Sequence, residues 1–210
     1  MERVEVEHRP KAVFVLGPSS SGKTTLCEAL SKKLGVRPPL YIKEVAREVM
    51  ATHGFTRSDV DTFAMQHAIM LAQLVAEEKA MSAATEHQGP RKTILSDRSA
   101  IDPIVYAATS QSSEAKERHQ RLLAEQSLQE ILPWYQESLF VDEWLEDDGV
   151  RSLEDPWKYS GALRSTLDSL GISRMTLGKE VKSLEERVEL VCRKLEQAEA
   201  IEDAISAEYQ

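Results

Sequence analysis

The chain has 210 residues, of which 41% are hydrophobic and 29% are charged, a composition typical of one globular domain. Its formal net charge of −9 comes from 26 Lys and Arg against 35 Asp and Glu, which argues against a protein whose main role is binding a nucleic acid polymer. Two distant cysteines without metal spacing, no visible secretory signal and no long apolar run predict a cytoplasmic protein that is neither secreted nor inserted in a membrane.

Short apolar runs alternate with amphipathic segments, which is typical of an α/β sandwich with a mostly parallel sheet. In chain order, the predicted elements are a strand at 12–16, a helix at 22–34, a strand at 40–42, a helix at 43–53, a long helix from its N-cap Ser58 to about 84, a strand at 93–96, a helix at 101–109, a polar helix at 114–132 that Pro133 ends, a strand at 138–141, a helix at 161–170, a strand at 172–177 and a helix at 181–204. We expect one domain over 1–210, with a peripheral helical insertion at about 112–132 and a lid at about 146–160.

A phosphate-binding motif follows the first predicted strand. The segment Gly17-Pro18-Ser19-Ser20-Ser21-Gly22-Lys23-Thr24 matches G-x-x-x-x-G-K-[ST] at every fixed position. Chance supplies such a match in about one chain of this length in a hundred. The backbone N–H groups of such a loop and the N-terminus of the following helix form a nest for phosphate.

The motif also assigns roles to two side chains. Lys23 is expected to span the β- and γ-phosphates, and Thr24 to ligate Mg²⁺, while Thr25 completes the predicted nucleotide-binding residues. The chain contains no asparagine, so the N-K-x-D motif with which GTPases read guanine is absent. A conventional GTPase is therefore not expected.

Charged residues follow two further predicted strands. Asp97 and Arg98 come at the carboxyl end of the third strand, where ligands lie in open α/β sheets. Asp97 can hold Mg²⁺ or orient an attacking hydroxyl, and Arg98 can hold phosphate; the alternative is a helix cap with a surface ion pair. Glu44 and Arg47 lie one helical turn apart after the second strand. They can take a substrate proton and grip the substrate, or they can form an ordinary surface ion pair.

Three further side chains are candidates. Gln66 and Gln73 recur at a spacing of seven on one side of the long helix, where an amide can hydrogen-bond a substrate ring or face solvent. His67 on the same helix is expected to be packed or solvated. Arg151 follows an acidic loop where a mobile lid is expected, and it can neutralise charge on the transferring phosphoryl group; the alternative is a simple acidic turn.

Taken together, GPSSSGKTT, IKEVAREV, the Gln-bearing helix, ILSDRS and DDGVRS resemble the P-loop kinase-type AAA domain family, which includes the nicotinamide riboside kinase domain of bacterial NAD-synthesis regulators. The SDRS segment is also similar to the E-R-S motif of deoxynucleoside kinases and the D-R-Y/H motif of thymidylate kinases. The resemblance spans about 13–195. It implies a three-layer P-loop NTPase sandwich with a mostly parallel five-stranded sheet flanked by helices, and ATP and Mg²⁺ as co-substrates.

The resemblance also implies roles by position: an acidic catalytic residue at Glu44 or Asp97, phosphate contacts at Arg98 and Arg151, and substrate contacts at Arg47 and Gln66. Asp97 stands where deoxynucleoside kinases have Glu, so the choice of base stays open. The predicted activity is ATP-dependent transfer of a phosphoryl group to a hydroxyl of a nucleoside or nucleoside-like acceptor, with a regulatory nucleotide-binding protein as the alternative. The expected partners are a nucleotide and a small-molecule acceptor, with a homodimer left open and neither a nucleic acid polymer nor a membrane.

Overall fold

The computed structural model describes residues 10–19, 21–86, 92–143 and 156–208. In chain order, its elements are β1 (Ala12–Leu16), α1 (Lys23–Leu34), β2 (Tyr41–Ile42), α2 (Val45–His53), a 3-10 helix (Arg57–Asp59), α3 (Phe63–Thr85), β3 (Ile94–Asp97), α4 (Asp102–Thr109), α5 (Ala115–Leu123), α6 (Gln126–Glu137), β4 (Leu139–Glu143), α7 (Pro156–Ser169), β5 (Arg174–Leu177) and α8 (Leu184–Glu208).

The five strands form one parallel sheet in the order β2-β3-β1-β4-β5. All five residues of β1 are buried, because its apolar sequence suits a central strand that helices cover on both faces. Val15 of β1 lies opposite Asp97 in β3, and Leu16 lies opposite Asp142 in β4. The predicted α/β fold with a five-stranded parallel sheet is confirmed, and the carboxyl ends of its three central strands meet at one edge.

The side chains of β1 alternate between two apolar layers. On one face, the ring centroid of Phe14 lies 5.3 Å from that of Trp134, 5.1 Å from that of Tyr135 and 4.8 Å from that of Phe140. Helices α3, α4, α6 and α7 contribute to this layer. On the other face, Val13 and Val15 pack in a layer to which α1 and α8 contribute. The sheet is therefore the middle of three layers.

The predicted start of the long helix is wrong. Ser58 lies inside the 3-10 helix, and α3 begins at Phe63. The N-cap is Thr62, whose hydroxyl accepts a hydrogen bond from the Met65 amide at 3.3 Å. Two capping signals lie close together in this segment, and the later one starts the α-helix.

The predicted helix at 114–132 is also wrong, because it is two helices, α5 and α6. Pro133, predicted to end the helix, lies within α6. A proline inside a helix costs about 3 kcal/mol through a lost hydrogen bond and a clash. The next two residues, Trp134 and Tyr135, are 2% and 0% exposed, and burying two such rings offsets that cost.

The predicted lid at 146–160 lies mostly outside the described residues, which resume at the start of α7. Arg151 lies outside them too. Among the helices that the structure describes, none has an apolar stretch long enough to cross a bilayer.

Candidate active site

The P-loop leaves the carboxyl end of β1 through a tight turn that two glycines permit. Gly17 and Gly22 have φ values of 148° and 89°, which residues with a side chain rarely adopt. Gly22 caps α1, and its carbonyl accepts from the Leu26 amide at 2.9 Å. The turn therefore places the positive end of the α1 dipole at the carboxyl edge of the sheet, which is favourable for an anion.

Lys23, the first residue of α1, folds back over this loop. Its Nζ donates to the Pro18 carbonyl at 2.6 Å and to Ser21 Oγ at 3.3 Å, and the residue is only 4% exposed. Thr24 and Thr25 follow on the exposed first turn of the helix. Of the predicted nucleotide-binding residues, Ser20 lies outside the described part of the chain.

Thr24 and Asp97 meet at the junction of α1 and β3. Thr24 Oγ1 donates to Asp97 Oδ2 at 2.6 Å, whereas Asp97 Oδ1 is buried and has no hydrogen-bond partner in the described residues. Burial raises the pKa of Asp97, although the Thr24 hydrogen bond and the charge of Lys23 act in the opposite direction. A hydroxyl beside an unsatisfied carboxylate oxygen fits Mg²⁺, which uses one or two protein ligands together with water and phosphate.

Arg98 is held by two carboxylates. Its Nη1 donates to Asp102 Oδ1 at 2.7 Å, and its Nε lies 3.5 Å from Glu44 Oε1. Burial by itself lowers the pKa of Arg98, but Asp102 and the other negative neighbours raise it well above the ordinary value. Arg98 is therefore a permanent charge at the edge of the sheet, directly after Asp97.

Glu44 is shared between two arginines. It precedes α2, and its Oε2 lies 2.9 Å from Nε of Arg47, whose side chain is 82% exposed. The i,i+3 ion pair that was one alternative for these residues is present. The other oxygen of Glu44 faces Arg98. Glu44 therefore links the buried Arg98 to the exposed Arg47.

The two glutamines of α3 are both 2% exposed, so the alternative that they face solvent is wrong. Gln66 Nε2 donates to the Val60 carbonyl at 2.7 Å, which fixes the chain before α3. Gln73 Nε2 donates to Glu77 Oε1 at 2.9 Å and to Ser96 Oγ at 3.1 Å. Gln73 therefore belongs to a buried network beside β3.

The expected position of His67 agrees with the structure. Its Nε2 lies 2.8 Å from Glu125 Oε2, and its ring stacks on Phe63 with centroids 4.9 Å apart. Neither Glu125 nor Phe63 belongs to the site described above.

Two acidic residues of the site were missed from sequence. Asp102 accepts from Arg98 and also from the Ser99 amide at 3.1 Å and the Tyr159 hydroxyl at 2.6 Å. Its spacing of four from Arg98 was the available signal. The N-cap of α4 is Ile101, which has no side-chain cap hydrogen bond, and Asp97 accepts from Thr24 instead, so the alternative that Asp97 caps this helix is wrong.

Asp142 is the second missed residue. It lies opposite the last residue of β1, is 2% exposed, and accepts from Arg164 Nε at 2.9 Å. The strand predicted at 138–141 stops one residue before it, so its place at the carboxyl edge was not visible. Arg164 belongs to α7, and this ion pair joins α7 to the edge of the sheet beside the P-loop.

Glu77 makes stability depend on pH. It is completely buried, and burial raises its pKa to about 8, although hydrogen bonds from Tyr135 and Gln73 lower it. The folded state therefore binds the proton of the Glu77 carboxyl group more tightly than the unfolded state does. As a consequence, the free energy of unfolding falls as pH rises from the ordinary glutamate range to about 8. We expect the urea midpoint of the wild type to fall more over this range than that of Glu77→Gln. Equal slopes for the two proteins would contradict the raised pKa.

A family of proteins described as AAA domain matches residues 12–187. The chain belongs to this family. The match includes the P-loop and the carboxyl ends of β2, β3 and β4, so it covers the site described above. The predicted resemblance to P-loop kinase-type AAA domains is thereby confirmed. No curated protein matches the chain.

Solved structures show which members of the P-loop kinases the fold is similar to. The NadR protein in complex with NR has a TM-score of 0.65 and 18% identity, over 88% of this chain and 49% of that one. The chain thus spans about half the length of the NadR chain. The deoxyadenosine kinase from M. mycoides with bound dATP has a TM-score of 0.55 and 15% identity, over 90% of this chain and 100% of that one.

The thymidylate kinase from Candida albicans has a TM-score of 0.53 and 17% identity, over 91% of this chain and 93% of that one. These identities are low, and the likenesses establish the fold. The chain has a P-loop kinase-like fold similar to that of nucleoside and nucleotide kinases.

Proposed function

We propose that the chain is a kinase that uses ATP and Mg²⁺ to phosphorylate a hydroxyl of a nucleoside or nucleoside-like acceptor. One observation carries the proposal: the described P-loop residues, the Thr24–Asp97 pair and the Arg98–Glu44 pair lie together at the carboxyl edge of one parallel sheet. Membership of the AAA domain family supports it, as do neighbours solved with NAD and AMP-PNP and with dATP.

The P-loop forms the nucleotide side of the proposed site. The loop holds the phosphates with its backbone N–H groups, which Pro18 lacks, and Lys23 exchanges the Pro18 carbonyl for phosphate oxygens. Thr24 and Asp97 hold Mg²⁺, the Asp97 carboxylate offering the oxygen that has no partner in the described structure. The metal neutralises charge on the phosphates when it is bound.

Glu44 is the better candidate for the base. Asp97 accepts from Thr24 at 2.6 Å and is 1% exposed, whereas the Glu44 side chain is 21% exposed and reachable by an acceptor. In the proposed step, the acceptor hydroxyl oxygen bonds to the γ-phosphorus, the bond from that phosphorus to ADP breaks, and the hydroxyl proton passes to Glu44. Arg98 holds Glu44 in place and offers charge to the transferring group.

Arg47, whose side chain is 82% exposed, and Gln66 are the proposed acceptor contacts. Gln66 is buried and donates to the Val60 carbonyl, so it contacts an acceptor only by exchanging that partner. Gln73 contacts Ser96 near the carboxyl end of β3, and Gln66 lies seven residues closer to the start of the helix. At 1.5 Å per residue this places Gln66 about 10 Å along the helix from Gln73. The C-terminal end of α3 connects to the start of β3. The N-terminal end of α3, which carries Gln66, therefore lies beyond the carboxyl edge of the sheet, on the same side as Glu44.

A screen of acceptors tests the proposed function. Purified protein is supplied with ATP, Mg²⁺ and a panel of nucleosides, nucleotides and pyridine ribosides, and ADP formation is measured. We expect at least one acceptor to raise ADP formation well above the rate with ATP alone, and Lys23→Ala to abolish that increase. Tight nucleotide binding with the same slow hydrolysis under every acceptor would contradict the kinase and favour a regulatory nucleotide-binding protein.

The proposed lid gives a further prediction. Arg151 supplies a planar cation suited to two phosphate oxygens, whereas lysine keeps the charge and loses the bidentate geometry. We expect Arg151→Lys to lower kcat more than it weakens ATP binding, and Arg151→Ala to lower kcat further. Arg193→Lys on the exposed face of α8 is the matched control and should leave both unchanged. Equal kcat in all the variants would place Arg151 outside the active site.

A further inference from the structure

A buried polar network lies beneath the segment that carries Asp97 and Arg98. Glu77 and Ser96 are 0% exposed, Gln73 is 2% exposed and Tyr135 is 0% exposed. These residues come from three elements, namely α3, β3 and α6. Four polar side chains buried together in an otherwise apolar layer are costly unless every one of them is hydrogen-bonded.

Glu77 lies at the centre of this network. Its Oε1 accepts from Gln73 Nε2 at 2.9 Å, and its Oε2 accepts from the Tyr135 hydroxyl at 2.5 Å. Gln73 also donates to Ser96 Oγ at 3.1 Å, and the Tyr135 hydroxyl accepts from the Ala100 amide at 3.2 Å. One carboxyl group therefore joins two arms, and both arms end on the same short segment of chain.

The two arms end on either side of the site residues. Ser96 comes immediately before Asp97, and Ala100 comes two residues after Arg98. Between these anchors, Arg98 has a φ of 87°, a left-handed backbone that a side chain disfavours. Such a conformation persists only where the surrounding structure holds it from several directions. The network supplies two of those directions, and the hydrogen bond from the Arg98 amide to the Val15 carbonyl at 3.1 Å supplies a third.

We propose that Gln73, Glu77 and Tyr135 are positioning residues that hold the backbone at 96–100. By holding it, they orient the Asp97 side chain toward Thr24 and the Arg98 side chain toward Glu44. This inference rests on the proposed function for its consequence in catalysis. All three positioning residues are at most 2% exposed, so none of them is placed to touch substrate. They act through the Ser96 hydroxyl and the Ala100 amide, and their loss frees the segment without removing a reacting group.

Tyr135→Phe is the sharpest variant, because it removes one oxygen atom and keeps the ring that packs on Phe14 and Phe140. We expect amide exchange to accelerate at 97–101 and to stay unchanged in β5 and α8. We also expect kcat to fall about tenfold, the loss that corresponds to one buried hydrogen-bonding group. The KM for ATP should change little, because the P-loop is not altered.

Two further proteins separate positioning from plain stability. Val188→Ala, in the layer on the opposite face of the sheet, is the matched control that lowers the melting temperature by removing core methyl groups. It should leave exchange at 97–101 and kcat at wild-type levels. In an Arg98→Ala background, Tyr135→Phe should lower kcat less than in the wild type, because one of the two residues it positions is already gone.

A Tyr135→Phe protein with a lower melting temperature, but with wild-type exchange at 97–101 and wild-type kcat, would overturn the inference. If Tyr135→Phe fails to fold, Ser96→Ala tests the other arm with the same measurements and the same expectations. If no acceptor supports turnover by the wild type, the proposed function fails, but the exchange measurement still decides whether the network holds the segment.

Discussion

Replacing Lys23 with alanine is expected to lower kcat by about 100-fold or more while the chain stays folded, since this is the scale of losing one electrostatic stabiliser of a transition state. The Lys23 ammonium already lies over the loop that is proposed to hold the phosphates, 2.6 Å from the Pro18 carbonyl. As the bond from the γ-phosphorus to ADP breaks, negative charge develops next to this ammonium, and alanine has nothing to offset it.

The matched control is Lys32→Ala, on the exposed face of the same helix. It removes the same charge from α1 without touching the P-loop, so kcat should stay at the wild-type level. Melting curves of both variants show whether each is folded, and acceptor-dependent ADP formation gives kcat. Wild-type turnover in a folded Lys23→Ala protein would contradict the assignment of the P-loop as the nucleotide site.

The parts of the fold that sequence predicted well are those that local patterns determine. The first strand is an unbroken apolar run, and the P-loop is one contiguous motif between that strand and a helix. Asp97 and Arg98 were placed at the edge of the sheet because the carboxyl ends of parallel strands meet there. In each of these cases, residues close in sequence carry the whole signal.

The missed parts depend on contacts between distant residues. Asp102 and Tyr159 are 57 positions apart, and Glu77 and Tyr135 are 58 apart. No periodicity marks such pairs, because the packing of separate helices against the sheet brings them together. Pro133 is a second example. The local rule predicts that a proline ends the helix, but α6 continues past it because Trp134 and Tyr135 are buried.

The conformation of Arg98 was also beyond local reasoning. Arginine has no preference for a φ of 87°, and the value follows from anchors on β1, α3 and α6 that hold the chain around it. Sequence therefore identified Arg98 as a candidate, while its orientation toward Glu44 and Asp102 depends on the assembled core.

Asp97→Asn is expected to separate activity from stability. The variant keeps an oxygen that can accept the Thr24 hydroxyl, but it loses the negative charge proposed to hold Mg²⁺. We expect kcat at saturating ATP and Mg²⁺ to fall about 100-fold, the scale of losing one charge that organises a transition state. The Mg²⁺-dependent part of ADP affinity should weaken as well, because only that part involves the carboxylate.

The stability of Asp97→Asn, unlike its kcat, should not fall. Burial raises the pKa of Asp97, so the charged form is disfavoured in the folded state and costs stability at neutral pH. Asparagine removes that cost, so its melting temperature in EDTA should equal or exceed that of the wild type. Asp168→Asn, which breaks an exposed ion pair with Arg174, is the control and should change neither quantity much. If Asp97→Asn instead lowers the melting temperature and keeps its Mg²⁺-dependent turnover, Asp97 serves only to fix Thr24, and the metal is held by other groups.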